Sequence, residues 1–407
     1  MVKKVLSFLL LIFISISPVA GLALPSEPVV EAPSALLIEL RRGQVLYSKN
    51  PEEPLHIAAA SKIMTALIAL EKTENEMVTA SKEAVNAEDA MLELSVGEKY
   101  TAQSLIHACM LSNANDAAIA LAEAIGGTVD NFVGLMNDYA AKLNMTNTRF
   151  SNPTGKYDEN QRTTAADISK LLRHGLSTNP DFERVFSTQA KPWFDEEKTL
   201  VLTNLNDMFW SYDGVDGGKV DFNDPEFQTV ITTVTRGQQK LACILLDSPA
   251  ESMYTDSIKL LDHGFNNFRR DILVSKGQAL SETKIQEYNI TLVADNDVYY
   301  TYPLGVSYIQ NVEYFTPDES SMKLPVYKNT VLGNVKFTLV DGTTIAVDLF
   351  PEMEILPEMT TFEKVKNRVM EHKEILYIIV ALMAVEIVLA FVKLIQWIIK
   401  RSQEQKA

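Results

Sequence analysis

The chain has 407 residues, with 37 Lys and Arg against 53 Asp and Glu and a formal charge of −16 at pH 7. That length allows two folded domains with peripheral segments. The acidic balance excludes nucleic acid as a partner and a purely electrostatic hold on anionic lipid. The five histidines, His56, His107, His174, His263 and His372, are scattered with no pair at ligand spacing, so no metal site and no cofactor is expected. Cys109 and Cys243, the two cysteines, each lie in an apolar run; they read either as a pair or as two buried thiols.

In chain order, residues 1–23 combine a basic start (Lys3, Lys4), an apolar run from Val5 to Ile16, then Pro18 and small residues. That is the pattern of a secretory signal peptide. Residues 24–33 are a Pro- and acid-rich linker. From 34 to 268 the pattern is that of one α/β domain. A strand-like run, Ser34–Leu40, leads through a turn at Arg42-Gly43-Gln44 to an Ala- and Leu-rich helix starting near Ala60. Helical periodicity returns at Ser104–Leu111, Asp116–Ile125, Val129–Leu143 and Ala165–Leu176. Thr164-Ala165-Ala166-Asp167 opens the last of these as a capping box. Strand-like stretches follow at Thr229–Thr235 and Leu241–Leu246, which predicts a sheet closed by both ends of the domain.

Residues 269–356 change character to a small all-β domain, with Val, Thr and Tyr alternating against polar residues. Asp341-Gly342, between Lys336–Val340 and Thr343–Leu349, is a hairpin signal. A stem helix is expected over 357–373. A membrane span is expected over 374–399: Ile375–Val392 is apolar apart from Glu386, and the run continues to Ile399 interrupted by Lys393 and Gln396, enough at about 1.5 Å per residue to cross a hydrocarbon core of ~30 Å. Basic residues at and beyond its end place 400–407 in the cytoplasm and the body outside. The rival is an amphipathic helix on the membrane surface, since Glu386, Lys393 and Lys400 recur every seven residues. The span is preferred because most of that face is still apolar.

Three short stretches carry the chemistry. The first is Ala59-Ala60-Ser61-Lys62, followed by Ile63-Met64-Thr65-Ala66-Leu67. The second is Ser112-Asn113-Ala114-Asn115-Asp116-Ala117-Ala118. The third is Val215-Asp216-Gly217-Gly218-Lys219-Val220-Asp221. Together with Gly43-Gln44-Val45-Leu46-Tyr47 and Asn152-Pro153-Thr154-Gly155, this order resembles the serine-type D-alanyl-D-alanine carboxypeptidases, the low-molecular-weight penicillin-binding proteins. The resemblance runs from about Ser34 to Leu356. It implies a transpeptidase-like (beta-lactamase-like) α/β domain followed by a small β domain.

It also implies four catalytic roles: a Ser-x-x-Lys nucleophile and base, a Ser-x-Asn proton relay, a Lys-Thr-Gly carboxylate clamp, and an oxyanion hole. Here Ala59 stands at the nucleophile position, three residues before Lys62. Asn113 replaces the relay serine, and an amide cannot pass a proton as a hydroxyl can; Asn115 matches. In the clamp Lys219 matches, while Val220 and Asp221 replace Thr and Gly. Val220 lacks the hydroxyl that binds the substrate carboxylate. A negative Asp221 at ~4 Å from that carboxylate repels it by about 4 kcal/mol at an effective dielectric of ~20. Lys156 departs from the leucine that follows Asn-Pro-x-Gly, and Leu202 from the first Asn of the Asn-Thr-Asn that precedes the clamp.

The expected protein is therefore a secreted, membrane-anchored pseudoenzyme. It binds peptidoglycan or another cell-envelope protein, with Lys62, Asn115 and Lys219 lining a leftover cleft. The alternative is an active carboxypeptidase with a displaced nucleophile. Ser61, about 100° round the helix from the required face, and Ser112 are the two candidates.

Overall fold

In the computed structural model, residues 26–404 are described, apart from 75, 90, 195–198, 223–226, 317–321, 358–360 and 372. The stretch read as a signal peptide, the start of the expected linker and the last three residues lie outside the described residues. The first sheet is antiparallel, in the order Gln44–Lys49, Ser34–Glu39, Gln239–Pro249, Phe227–Arg236, Val215–Phe222. Its second strand, Ser-Ala-Leu-Leu-Ile-Glu, is buried throughout. It bonds both to its hairpin partner and to the late strand Gln239–Pro249, with Leu37 facing Cys243. The two ends of the domain thus close one sheet, and the edge strand Val215–Phe222 carries the third motif.

The helix Ala58–Lys72 is buried over its whole circumference from Ala58 to Ala69. An Ala-rich helix of this kind belongs in the middle of a core. Its side chains join those of Ala102–Leu111, Asn115–Gly126, Val129–Lys142 and Ala165–Thr178 in one apolar cluster. Thr164 caps the last of these, its Oγ1 accepting from the Asp167 amide at 3.1 Å. The box is one-sided, because Asp167 turns instead to Asn147 and Thr148.

The connection Ser112–Ala114 reverses the chain between two helices. Asn113 takes a left-handed φ of 55° there, a conformation that Asn tolerates better than most residues. Cys109 and Cys243 are both free and buried, so the pairing alternative is set aside.

The opposite face of the sheet is covered by Met253–Asn267, a helix without a counterpart in the sequence reading. Met253, Leu260 and Leu261 fill a second apolar cluster with Leu37, Val220, Val230 and Leu245. The end of the stretch read as linker is tied to this helix: Val30 and Ala32 are buried. The amides of Glu31 and Ala32 donate to Asp256 Oδ2 at 2.6 and 3.2 Å.

The chain forms two compact units. The first runs to Ser275 and adds Asp297–Val312 and Phe337–Ile345; the second comprises Lys276–Asn296, Glu313–Lys336 and the chain from Ala346 onward. A second five-stranded sheet has the order Ala279–Ile285, Tyr288–Ala294, Thr344–Pro351, Gly333–Leu339, Ile309–Phe315. Gly342, in the predicted hairpin, has φ +82°. Thr361–Glu371 is helical, and Lys373–Glu404 is a single 32-residue helix. Within it Tyr377–Ile399, 23 residues with none of the apolar stretch buried, is long and apolar enough to cross a membrane.

Candidate functional site

Ala59 and Lys62 sit one turn apart at the start of the central helix. Ala59 is fully buried and offers a methyl group. Lys62 is oriented by the turn Asn152–Gly155. Asn152 Oδ1 accepts from Thr154 Oγ1 at 2.9 Å and from the Gly155 amide at 2.8 Å. Gly155 has φ +84°, and a Cβ on it would collide with the Ala58 carbonyl. Only glycine lets this turn lie against the helix start. The Thr154 carbonyl so placed accepts a hydrogen bond from Lys62 Nζ.

The second partner of Lys62 is Asp221. Nζ and Oδ2 are 3.0 Å apart, with side chains only 4 % and 7 % exposed. Both oxygens on the amine are therefore accounted for, one a peptide carbonyl and the other a carboxylate. Neither is a hydroxyl that the amine could deprotonate for attack. Ser61, the first alternative nucleophile, is fully buried, with its hydroxyl 3.5 Å from Gln161 Oε1. The same Gln161 oxygen takes the amides of Ser151 and Asn152, so Ser61 belongs to the support of the turn. Ser112, the second alternative, is the half-buried C-cap of Ala102–Leu111.

Along Val215–Phe222 side chains alternate between the two faces of the sheet. Lys219 and Asp221 point to the helical side. Val220 points the other way, into the apolar cluster with Met208 and Met253. This corrects the expectation for Val220: its side chain is part of the opposite core layer, and only its carbonyl reaches the site. That carbonyl accepts from Asn113 Nδ2 at 3.1 Å, while Asn113 Oδ1 accepts from Lys219 Nζ. One amide orientation satisfies both contacts.

Lys219 Nζ also reaches the carbonyls of Cys109 and Met110, each at 3.2 Å. It is wholly buried with neutral oxygens as direct partners, and burial pulls its pKa down to about 8. Burial likewise lifts the neighbouring Cys109 thiol to about 11, which rules it out as a nucleophile at neutral pH.

Asn115 and Asp116 open the next helix. Asp116 Oδ2 accepts the amides of Leu92 and Leu94. Asn115 Nδ2 donates to the Glu88 carbonyl at 2.9 Å, and its Oδ1 has no hydrogen-bond partner among the described residues. Lys156, at the position where the resemblance calls for leucine, forms an exposed ion pair with Glu88.

Two expectations change. Lys62, Asn113, Asn115, Lys219 and Asp221 are brought together, but none is more than 6 % exposed. Lys62 is paired with Asp221 and Lys219 with Asn113, while Asn115 turns to the Glu88 carbonyl, so they are buried groups rather than the lining of an open cleft. The repulsion assigned to Asp221 also presumed a free charge, whereas this carboxylate is neutralised by Lys62. The signal for that pair was present in the sequence. A new Asp in the third motif and a lysine relieved of its serine in the first are charges of opposite sign that the fold places side by side.

The sequence model of D-alanyl-D-alanine carboxypeptidase matches residues 23–250, and that of the penicillin-binding protein 5 C-terminal domain matches residues 268–366. Among curated relatives, D-alanyl-D-alanine carboxypeptidase DacA of Escherichia coli is 27 % identical over 365 residues, covering 84 % of this chain and 88 % of that protein. D-alanyl-D-alanine carboxypeptidase DacF of Bacillus subtilis is 29 % identical over 273 residues, covering 64 % and 69 %. Penicillin-binding protein 5 from Haemophilus influenzae superposes with a TM-score of 0.68 at 25 % identity, over 82 % of this chain and all of that one. The chain belongs to the D-alanyl-D-alanine carboxypeptidase family, with a penicillin-binding protein 5 type of C-terminal domain.

Proposed function

We propose that this protein is a non-hydrolysing member of its family, anchored in the membrane by Tyr377–Ile399 and working outside the cytoplasm as a binding module for peptidoglycan or an envelope protein. One observation carries the reading. The Lys62 amine, the group that would activate a nucleophile, is buried against the Asp221 carboxylate and the Thr154 carbonyl, with only the Ala59 methyl one turn before it. Acyl transfer by this route needs a hydroxyl in hydrogen-bond reach of a base. The base here is a paired ammonium, and among the described residues no hydroxyl is hydrogen-bonded to it.

Binding is supported by what remains. The supporting turn, the buried Lys219 and the unpartnered Asn115 Oδ1 keep a polar, hydrogen-bonded core under the surface where relatives named as D-alanyl-D-alanine carboxypeptidases would hold a peptide. The apolar, unburied helix Tyr377–Ile399 supports the anchor.

Labelling with fluorescent penicillin tests the catalytic half. The wild-type chain is expected to remain unlabelled, and a covalent adduct lost on Ser61→Ala or Ser112→Ala would overturn the reading. Sedimentation with purified peptidoglycan tests the binding half. Retention that survives detergent and salt assigns the ligand to the wall, and its absence removes peptidoglycan from the reading.

A further inference from the structure

The membrane-crossing reading leaves one residue unexplained, and the following inference rests on that reading. Tyr377–Ile399 contains two charged side chains, Glu386 and Lys393. At about 1.5 Å per residue Glu386 lies ~13 Å from the Tyr377 end and ~20 Å from the Ile399 end. That is close to the middle of a ~30 Å hydrocarbon core. Lys393 lies ~9 Å from the Ile399 end, and its long stem can carry its ammonium to that surface.

No such escape exists for Glu386, whose side chain is short and sits at mid-depth. It is exposed on the helix surface, between neighbours such as Leu382 and Ala390 on the same face. Ionisable groups at this depth persist where they find a partner. Seven residues at about 100° each bring Glu386 and Lys393 to within ~20° of one another round the helix, yet ~10 Å apart along it, too far for an ion pair within the helix.

We infer that Glu386 is an intramembrane docking point for a helix of a second protein, one that carries an arginine or lysine at the same depth. The charge pattern argues against a second copy of this chain. A parallel twofold pair places Glu386 opposite Glu386 and Lys393 opposite Lys393, like on like at both levels. A helix from another protein has no such constraint, and a basic side chain at the level of Glu386 supplies the partner that its carboxyl cannot find on its own helix.

The test uses the full chain in phosphatidylcholine vesicles, carrying a donor dye on Ala407→Cys. The native thiols are both buried. The probe is a synthetic 23-residue polyleucine helix with one central arginine and an acceptor dye. Energy transfer is expected to report association at least tenfold tighter than to an all-leucine helix. Glu386→Leu should abolish that preference, and Glu386→Arg should transfer it to a helix bearing a central glutamate.

Equal association with both probes, or a preference that survives Glu386→Leu, overturns the inference. So does donor–acceptor mixing of two copies of the full chain that depends on Glu386 and exceeds association with the arginine helix. Labelling of Ala407→Cys by a membrane-impermeant maleimide, in sealed vesicles oriented by protease protection of the body, reports the span separately. A chain that spans without discriminating sinks this inference alone. A chain whose tail and body share one side sinks the span and the inference together.

Discussion

The ion pair between Lys62 and Asp221 decides whether the Lys62 amine is free to act as a base. Its partners are 3.0 Å apart and nearly inaccessible to water. At that separation and an effective dielectric of ~20, the Coulomb attraction is about 5.5 kcal/mol. Much of this offsets the desolvation of two charges, so the pair adds little net stability compared with apolar side chains of the same size. Removing one partner is different, since it strands a buried charge at a cost of about 3–5 kcal/mol. Lys62→Met and Asp221→Val should therefore each destabilise the chain by about 3–5 kcal/mol. The double variant should fall within about 1 kcal/mol of wild type, that residue coming from the bond to the Thr154 carbonyl. Urea unfolding in mild detergent, followed by the fluorescence of Trp193 and Trp210, reads all four corners of the cycle. Single variants that each cost under ~1 kcal/mol and simply add would refute the claim that the two residues neutralise each other.

Three further outcomes follow from the same geometry. Ala59→Ser alone should leave fluorescent penicillin unbound, because the restored hydroxyl would meet an amine still held by Asp221. Ala59→Ser with Asp221→Gly is the combination expected to give measurable acylation, and labelling by the single variant would break that logic. Lys219, whose pKa of about 8 lies below that of an unfolded lysine, binds fewer protons when folded than when unfolded over the interval between the two values. Stability therefore rises with pH through that window. The difference between wild type and Lys219→Met should shift in favour of wild type by ~2.5 kcal/mol from pH 7 to pH 10, and a flat difference contradicts a buried ammonium. Gly155→Ala, which forces a Cβ into the Ala58 carbonyl at a positive φ, should cost about 1–3 kcal/mol in the same unfolding assay.

The parts of the fold legible in the sequence are those written as uninterrupted local pattern. Ser34–Glu39, apolar over Ala35-Leu36-Leu37-Ile38, is an inner strand of the sheet. The Ala-rich run is the central helix, and four later helices fall within two residues of their expected ends. Met253–Asn267 was not legible because its apolar positions are diluted by Thr255, Asp256, Lys259, Asp262 and the pair Asn266-Asn267. Gly264 reads as a break in sequence, yet it is the place where the helix lies against Leu37 and Leu241. At the site, residue identity located each altered position. Side-chain direction was out of reach for Val220, which needs the register of the edge strand, and so was the charge balance of Asp221, which needs the helix laid against that strand.

That charge balance links alterations that look independent in the sequence. If Ala59 were the single change, a buried ammonium would remain with one neutral carbonyl as its partner, a costly arrangement. Asp221 supplies the missing counter-charge from the neighbouring strand. Asn113 performs the matching task one step away, where its oxygen takes the Lys219 ammonium and its amide takes the carbonyl of the same strand. Asp221 and Asn113 thus each satisfy a buried ammonium, whereas Ala59 and Val220 contribute only apolar side chains. An inactivating change followed by drift predicts orphaned charges here. The two lysines instead have partners, and the side-chain partner of each comes from an altered position of the second or third motif. The site is a closed polar joint between the central helix, the Asn113 turn and the sheet edge, and on the proposed reading a single restored serine should not open it.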